Sequence, residues 1–524
     1  MIGRQAPLCK RLENLGRRDR FKLIGIWEDR HTPLCDESFR NQDGRNRLSD
    51  SNLRTDFIMR VPMPTSSTLE AAAGYVSASF YAEGCQPLAA SASLMCIEQN
   101  CRARYALTDV LYQCPRCGGL LEVDYDWSLA KTDTWKQLWR ARRMDNHPLS
   151  QSGVWRYREM LPFLDRPQHV VTLREGNTPI LSSAFAAEYA GLENISFKHQ
   201  GFNPTGSFKD NGMTAGVAQA RRLGKTRVAC VSTGNTSASM AAYASAAGLT
   251  PVVFLPHGNI SFGKLAQALE YGAVTLEVEA NFDQILALVR EVCERADVYL
   301  LNSINPFRIE GQKSMAIELL DQLDWSVPDW VVMPGGNLGN ASAFGKGFIE
   351  AHNLGLIPRL PRVAVVQASG SAPFYEFLKD TQKGLQAVTH PETLATAIRI
   401  GDPVSWPKAL RVIQETGGVV EVATEEEIAD AKAVIGKSGI GCEPASAATL
   451  AGIRKLVERG VIGRGENVLA VLTGNLLKDP DYIYRYHTGA LKTPQDAPIV
   501  GKFANCPRVV ANDATAILKI LECE

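Results

Sequence analysis

The chain has 524 residues, 45% of them hydrophobic, and its 56 basic side chains balance 56 acidic ones. That length exceeds one core and predicts two or three domains. A formal charge of zero removes the usual reason to expect nucleic acid or an anionic membrane surface as partner. No apolar run is long enough to span a bilayer. Twelve cysteines in a chain of this size fit a reducing cytoplasm better than a disulfide scaffold.

Residues 1–90 mix frequent arginines with acids and show no apolar period lasting three turns. They read as a loosely packed N-terminal extension. Arg4, Lys10 and Arg11 precede no apolar stretch, which argues against secretion. Glu13, Asp19, Glu28 and Asp29 argue against a transit peptide. Residues 91–127 form a distinct module. Cys96 and Cys101 are followed by Cys114-Pro115-Arg116-Cys117-Gly118-Gly119. Four thiolates in two pairs at these gaps can hold a tetrahedral zinc ion. Two readings stay open: a structural zinc ribbon, and a small β module without metal.

Between Asp133 and Met160, Trp135, Trp139 and Trp155 recur among basic residues, which predicts a helix packed on the body. Val170 to Leu173 is a strand-sized apolar run. After the run Ile195-Ser196-Phe197-Lys198 comes Asn203-Pro204-Thr205-Gly206-Ser207-Phe208-Lys209-Asp210, then a small-residue segment, Gly212 to Ala220, able to form a helix. A lysine held beside apolar groups loses its proton more readily than a solvated one. Its free amine can then form a Schiff base with an aldehyde. The alternative is a solvated surface lysine.

From Ile195 onward strands alternate with helices. Val228–Val231, Pro251–Leu255, Val274–Glu277, Tyr299–Leu301, Trp330–Met333 and Arg362–Ala368 read as strands. Ala238–Ala247, Ser261–Tyr271, Phe282–Ala296 and Gly311–Leu323 read as helices. The alternation predicts an α/β fold with largely parallel sheets. Residues 128–226 with 325–500 would make a larger α/β domain and 227–324 a smaller one. Residues 501–524 would make a tail whose apolar stretch Ala514 to Leu521 docks as a helix. Two loops follow strands: Val231-Ser232-Thr233-Gly234-Asn235-Thr236 and Met333-Pro334-Gly335-Gly336-Asn337-Leu338-Gly339-Asn340. Each turns backbone N–H groups into a concavity suited to an anion. Neither is a dinucleotide or P-loop fingerprint.

On Asn203–Asp210, Ser232–Ser239, Leu301–Arg308 and Pro334–Asn340, the chain resembles the threonine synthase family of fold-type II pyridoxal-phosphate enzymes, from about Met95 to Tyr486. The resemblance implies pyridoxal phosphate as cofactor and Lys209 as the catalytic residue that carries it. It places Asn235 beside the cofactor 3′-oxygen. It puts Gly336, Asn337, Leu338, Gly339 and Asn340 around the phosphate, and Thr473 at the pyridine nitrogen. Ser232, Thr236, Asn302, Ser303 and Arg308 match positions that hold a phosphorylated amino-acid substrate. A hydroxyl at the ring nitrogen is expected to leave that nitrogen largely unprotonated. Glu443 is expected near the ring, and Cys96, Cys101, Cys114 and Cys117 match a structural cysteine module.

The implied reaction is that of a lyase acting on O-phosphohomoserine and water to give threonine and phosphate, in a cytoplasmic homodimer with neither nucleic acid nor membrane as partner. A cysteate synthase or threonine dehydratase would share the lysine motif and the glycine loops. A zinc-ribbon interaction protein on a degenerate scaffold is the non-enzymatic alternative.

Overall fold

The computed structural model describes residues 91–258, 262–280 and 282–522; the extension expected over 1–90 lies outside the described residues. Strands β1 (Ser91–Cys96), β2 (Arg104–Tyr105) and β3 (Leu121–Asp126) form a small antiparallel sheet in the order β2-β1-β3. Leu94, Cys96, Leu121 and Val123 turn into a core shared with Trp155, Phe163 and Phe307. The cysteine module therefore has no core of its own.

Strands β4 (Ile180–Ser182) and β5 (Ile195–His199) begin a six-stranded sheet. The chain then leaves it for a second sheet made of β6 (Arg227–Val231), β7 (Thr250–Pro256), β8 (Val274–Val278) and β9 (Tyr299–Leu300). That sheet runs β8-β7-β6-β9 and is parallel throughout. Strands β10 (Trp330–Pro334), β11 (Arg362–Ala368), β12 (Val419–Ala423) and β13 (Val468–Leu472) return to the first sheet. Its order is β12-β11-β10-β13-β5-β4, parallel except for the pair β4 and β5. Helices cover both faces, so central strands are buried on both sides and read as unbroken apolar runs. All five residues of β10 and of β13 are buried.

The order of the larger sheet positions the site. Strand β13 lies between β10 and β5, with Trp330 opposite Val468 and Leu472 opposite His199. The carboxyl ends of these three strands therefore open side by side, where ligands sit in parallel sheets. In the smaller sheet β9 pairs with β6, which brings the loop after each to one edge.

Some expectations need correction. Val170 to Leu173 is not a strand; Val171 is buried, and its carbonyl accepts from Thr214 Oγ1 instead of from a neighbouring strand. The helix expected from Gly311 begins at Pro306, because Asn305 accepts the N–H of Phe307 and proline occupies the first turn. The tryptophan segment is a helix, Trp135–Arg143, and a separate 3-10 turn, Trp155–Met160, with all three tryptophans buried. The helix Ala514–Leu521 forms but none of its residues is buried, so it does not dock on the described part of the chain. The last two residues of that tail lie outside the described residues. Strands β4, β12 and β13 had no counterpart in the reading of the sequence. No helix among the described residues is long and apolar enough to cross a membrane.

Candidate active site

Lys209 opens the helix Lys209–Arg222, at the end of the loop that follows β5. The loop is pinned from both ends. Asp210 accepts from the N–H and the hydroxyl of Thr205, at 2.7 and 2.6 Å. The loop after β13 joins it through Phe208 N–H to Thr473 O (3.0 Å) and Asn475 N–H to Gly206 O (2.9 Å). Lys209 is half-buried, and its Nζ lies 4.1 Å from the centre of the Phe208 ring. Burial first, and then the neighbouring Arg308 guanidinium, lower the amine from 10.5 to about 7; Glu443 opposes them. A fixed amine of that basicity can give and take protons near neutral pH.

The glycine loop after β10 starts the helix Gly339–Asn353. Leu338 takes the left-handed conformation, φ 62°, at its head. That conformation costs a non-glycine residue on the order of 1–2 kcal/mol and turns successive N–H groups toward one concavity. Gly336 is fixed by close approach, since a Cβ there would lie 3.0 Å from the carbonyl oxygen of Ala397. Asn337 Nδ2 donates to Ser303 Oγ at 2.8 Å, which joins this loop to the loop after β9. Asn337 Oδ1, both amide atoms of Asn340 and Asn235 Oδ1 are buried without a hydrogen-bond partner. Buried polar atoms are normally paired, so a cluster left open marks the space for a polar ligand.

A second junction crosses between the sheets. Asn235 opens the helix Asn235–Ala246, and its Nδ2 donates to Glu443 at 3.0 Å. Thr473 Oγ1 donates to the other oxygen of Glu443, also at 3.0 Å. Glu443 is buried at the head of the helix Pro444–Glu458. Gly474 leaves room for its carboxylate, because a Cβ there would lie 2.4 Å from Cδ. Ser446, in the first turn of that helix, accepts the backbone N–H groups of Thr473 and Gly474. Its only signal was the string Glu443-Pro444-Ala445-Ser446, and no spacing rule points from there to Thr473.

The expected substrate residues are placed less uniformly. Ser232 Oγ accepts the N–H of Gly234 at 3.1 Å, and Thr236 lies half-buried one turn on. Asn302 spends its amide on the backbone of Val231, accepting at 2.9 Å and donating at 3.1 Å. Arg308 sits in the first turn of the helix Pro306–Gln322, not in a loop, and is 1% exposed. Burial lowers its guanidinium to about 10, and one amino group donates to Leu301 O at 3.0 Å while Nε has no partner. Among the described residues no hydrogen bond joins Arg308 to Asn302 or Ser303, and no carboxylate pairs with it. A buried cation without a counter-ion is costly unless an anion visits it.

The sulfur atoms of Cys96, Cys101, Cys114 and Cys117 lie within 4.8 Å of one another, with the pairs Cys96–Cys117 and Cys101–Cys114 at 3.4 and 3.7 Å. Tetrahedral zinc with bonds of about 2.3 Å needs sulfurs roughly 3.8 Å apart, so the four thiols fit such an ion.

A family model described as pyridoxal-phosphate dependent enzyme matches residues 171–474. The threonine synthase of Methanosarcina acetivorans is 48% identical over 391 residues, covering 74% of this chain and 93% of that protein. The threonine synthase of Methanocaldococcus jannaschii is 45% identical over 402 residues, covering 76% and 97%. The chloroplastic threonine synthase 2 of Arabidopsis thaliana is 37% identical over 429 residues, covering 80% and 82%. Among solved structures, diaminopropionate ammonia lyase from Escherichia coli gives a TM-score of 0.52 at 16% identity, covering 59% of this chain and 87% of that one. A fungal L-serine ammonia-lyase from Rhizomucor miehei gives 0.51 at 20%, covering 59% and 97%. Both share the fold alone. With its lysine, its open amide cluster and these matches along most of its length, the chain belongs to the pyridoxal-phosphate-dependent enzyme family, among the threonine synthases.

Proposed function

We propose that this chain converts O-phosphohomoserine and water to threonine and inorganic phosphate. The observation that carries the reading is Lys209, an amine lowered to about 7 and set near the buried guanidinium of Arg308, whose Nε has no hydrogen-bond partner. Pyridoxal phosphate, when bound, supplies the electron sink for breaking bonds at the amino-acid carbons. Lys209 would hold it, with Asn235 at its 3′-oxygen, Gly336 to Asn340 at its phosphate and Thr473 at its ring nitrogen. The open amide atoms of Asn235, Asn337 and Asn340 suit such a group.

Moving a hydroxyl to Cβ while phosphate leaves Cγ requires removal of a proton from Cα and then from Cβ. With phosphate gone, Cγ takes up a proton and becomes the methyl group; water then adds its hydroxyl at Cβ, and Cα regains a proton. One amine with a basicity near neutral serves as base and as acid in turn, which is the role of Lys209. Arg308 would attract the phosphate end of the substrate, with Ser232, Thr236, Asn302 and Ser303 around it. The phosphate, once released, is itself an acid/base partner. The reading includes a cytoplasmic homodimer without nucleic acid as partner; the eight described cysteines, all free of disulfides, support the reducing setting.

Separate assays with O-phosphohomoserine, phosphoserine and threonine test it. The first should release phosphate and yield threonine, the second should release little phosphate, and the third should be deaminated slowly if at all. One methylene alone discriminates by only about 1–3 kcal/mol. A phosphate misplaced against a fixed guanidinium costs more. Preferred turnover of phosphoserine with sulfite would replace this reading by cysteate synthesis.

A further inference from the structure

The helix Asn235–Ala246 is built almost wholly of small side chains, Asn-Thr-Ser-Ala-Ser-Met-Ala-Ala-Tyr-Ala-Ser-Ala. Ridges this shallow let a helix slide or turn against its neighbours, and apolar packing has no direction that would stop it. Polar contacts fix it at two points. At its head Asn235 Nδ2 donates to Glu443 Oε2 at 3.0 Å. About two turns later the buried Tyr243 hydroxyl donates to Glu175 Oε2 at 2.9 Å. At 1.5 Å per residue these points lie about 12 Å apart along the helix. Glu175 is itself held from several sides. It is fully buried, and its carboxylate also accepts from Ser152 Oγ, from Thr172 Oγ1 at 3.0 Å and from the N–H of Leu173 at 3.1 Å. The next residue, Gly176, takes φ 76°, and a Cβ there would lie 2.5 Å from Gly153 Cα.

These contacts close into a ring with the lysine loop. Gly176 N–H donates to Asn203 Oδ1 at 2.7 Å, at the start of the stretch that ends in Lys209. At the far end of that stretch Phe208 N–H donates to Thr473 O at 3.0 Å, and the Thr473 hydroxyl meets Glu443 Oε1 at 3.0 Å. The lysine loop and the helix are therefore joined at both ends: through Thr473 and Glu443 beside Asn235, and through Gly176 and Glu175 beside Tyr243. We propose, on the reading of Lys209 and Asn235 as residues that hold pyridoxal phosphate, that Tyr243 and Glu175 are positioning residues that keep Asn235, and Thr236 next to it, in register with Lys209. They act through the helix and not by contact with a ligand. A rod held at one end swings about that end, and a rod held at both does not. Releasing Tyr243 from Glu175 leaves Asn235 on Glu443 but frees the helix axis to turn. A misplacement on the order of 1 Å at a binding group costs up to ~10²-fold.

The test is a double-mutant cycle on the dissociation constant of pyridoxal phosphate, read from the cofactor's absorbance as it is titrated into the full chain. Tyr243→Phe removes one hydroxyl and leaves the ring in place. It should weaken cofactor binding about tenfold, the scale of one hydrogen bond to a charged group. Asn235→Ala should weaken binding at least as much. Adding Tyr243→Phe to Asn235→Ala should then cost little more, because Tyr243 acts on the cofactor only through the residue already removed. Losses that multiply in the double variant would mean that Tyr243 supports the fold in general, and would overturn the proposal. Where Tyr243→Phe fails to fold, Glu175→Gln carries the same cycle with the same outcomes, since an amide cannot accept from every donor that the carboxylate serves. If Asn235→Ala leaves binding unchanged, the reading of Asn235 as a cofactor residue is wrong and the proposal falls with it. If Asn235→Ala weakens binding and Tyr243→Phe does not, that reading stands and the proposal alone is lost.

Discussion

Lys209 is the only residue of its loop for which burial, charge and position converge on one chemical property. Desolvation lowers its amine, the Arg308 guanidinium lowers it further, and the result is about 7 against 10.5 for a free lysine. In cofactor-free protein, its reaction with pyridoxal should reach half its maximal rate near pH 7. Borohydride reduction and peptide mapping should find the label there and not on Lys198, which is buried in an ion pair with Glu318, or Lys225, which pairs with Asp297. Arg308→Met should raise the midpoint without restoring 10.5, since desolvation remains. An unchanged midpoint would remove Arg308 from the account. The sign for stability follows from linkage. Between about 7 and 10.5 the unfolded chain binds the proton and the folded chain does not. The cost of burying Lys209 is therefore full below 7 and fades as pH rises toward 10.5. The lysine and the glycine loops were legible because each is a contiguous string with local chemistry. The junction of Asn235, Glu443, Ser446 and Thr473 was not, because Asn235 and Glu443 are 208 positions apart and meet only after both sheets form.

Several strands were legible because burial on both faces produces an apolar run, as in β10. Strand β13, Val-Leu-Ala-Val-Leu, has the same character but escaped notice, although it carries Thr473 at its carboxyl end. The helix expected from Gly311 starts five residues earlier, because Asn305 caps it and Pro306 fills its first turn, a signal that lies in two residues and not in the apolar period. That helix also fixes the loop ahead of β4. Its Glu318 accepts the N–H groups of Asn177 and Thr178, at 2.6 and 3.1 Å, and pairs with Lys198 of β5. Lys198 Nζ also donates to Thr178 O and Gln322 Oε1, both at 2.7 Å. Removing one partner of a buried pair strands the other, at a cost of about 3–5 kcal/mol. Lys198→Met should therefore lower unfolding stability by that order in denaturant titrations, while Lys209 in the folded fraction still takes the label. A loss below ~1 kcal/mol would show that the loop and not the pair supports this corner.

At the scale of the whole molecule, the sequence separates residues 91–127 as a module, and the structure joins them to the body. Tyr125 donates to Glu310 at 2.7 Å, on the same helix as Arg308. Arg411 grips Glu122 with two donors, at 3.0 and 2.9 Å. Lys408 Nζ reaches Leu121 O at 2.7 Å across 287 positions of sequence, and Lys346 bonds both Val123 O and Glu310. Partners so distant leave no local trace, which is why the cysteine spacing was readable and the docking was not. Because the module shares its core with Trp155 and Phe307, loss of a metal held there would loosen the body. Elemental analysis should find one zinc per chain, held by Cys96, Cys101, Cys114 and Cys117. Metal binding contributes directly to folding free energy at such sites. Chelation should lower the melting temperature of the entire chain in one transition, several degrees or more, with the cofactor still on Lys209 below that temperature. An early, separate transition confined to the module would show that the buried charges do not couple it to the body. Metal-free protein of unchanged stability would remove zinc from the account and leave the four thiols as packing alone.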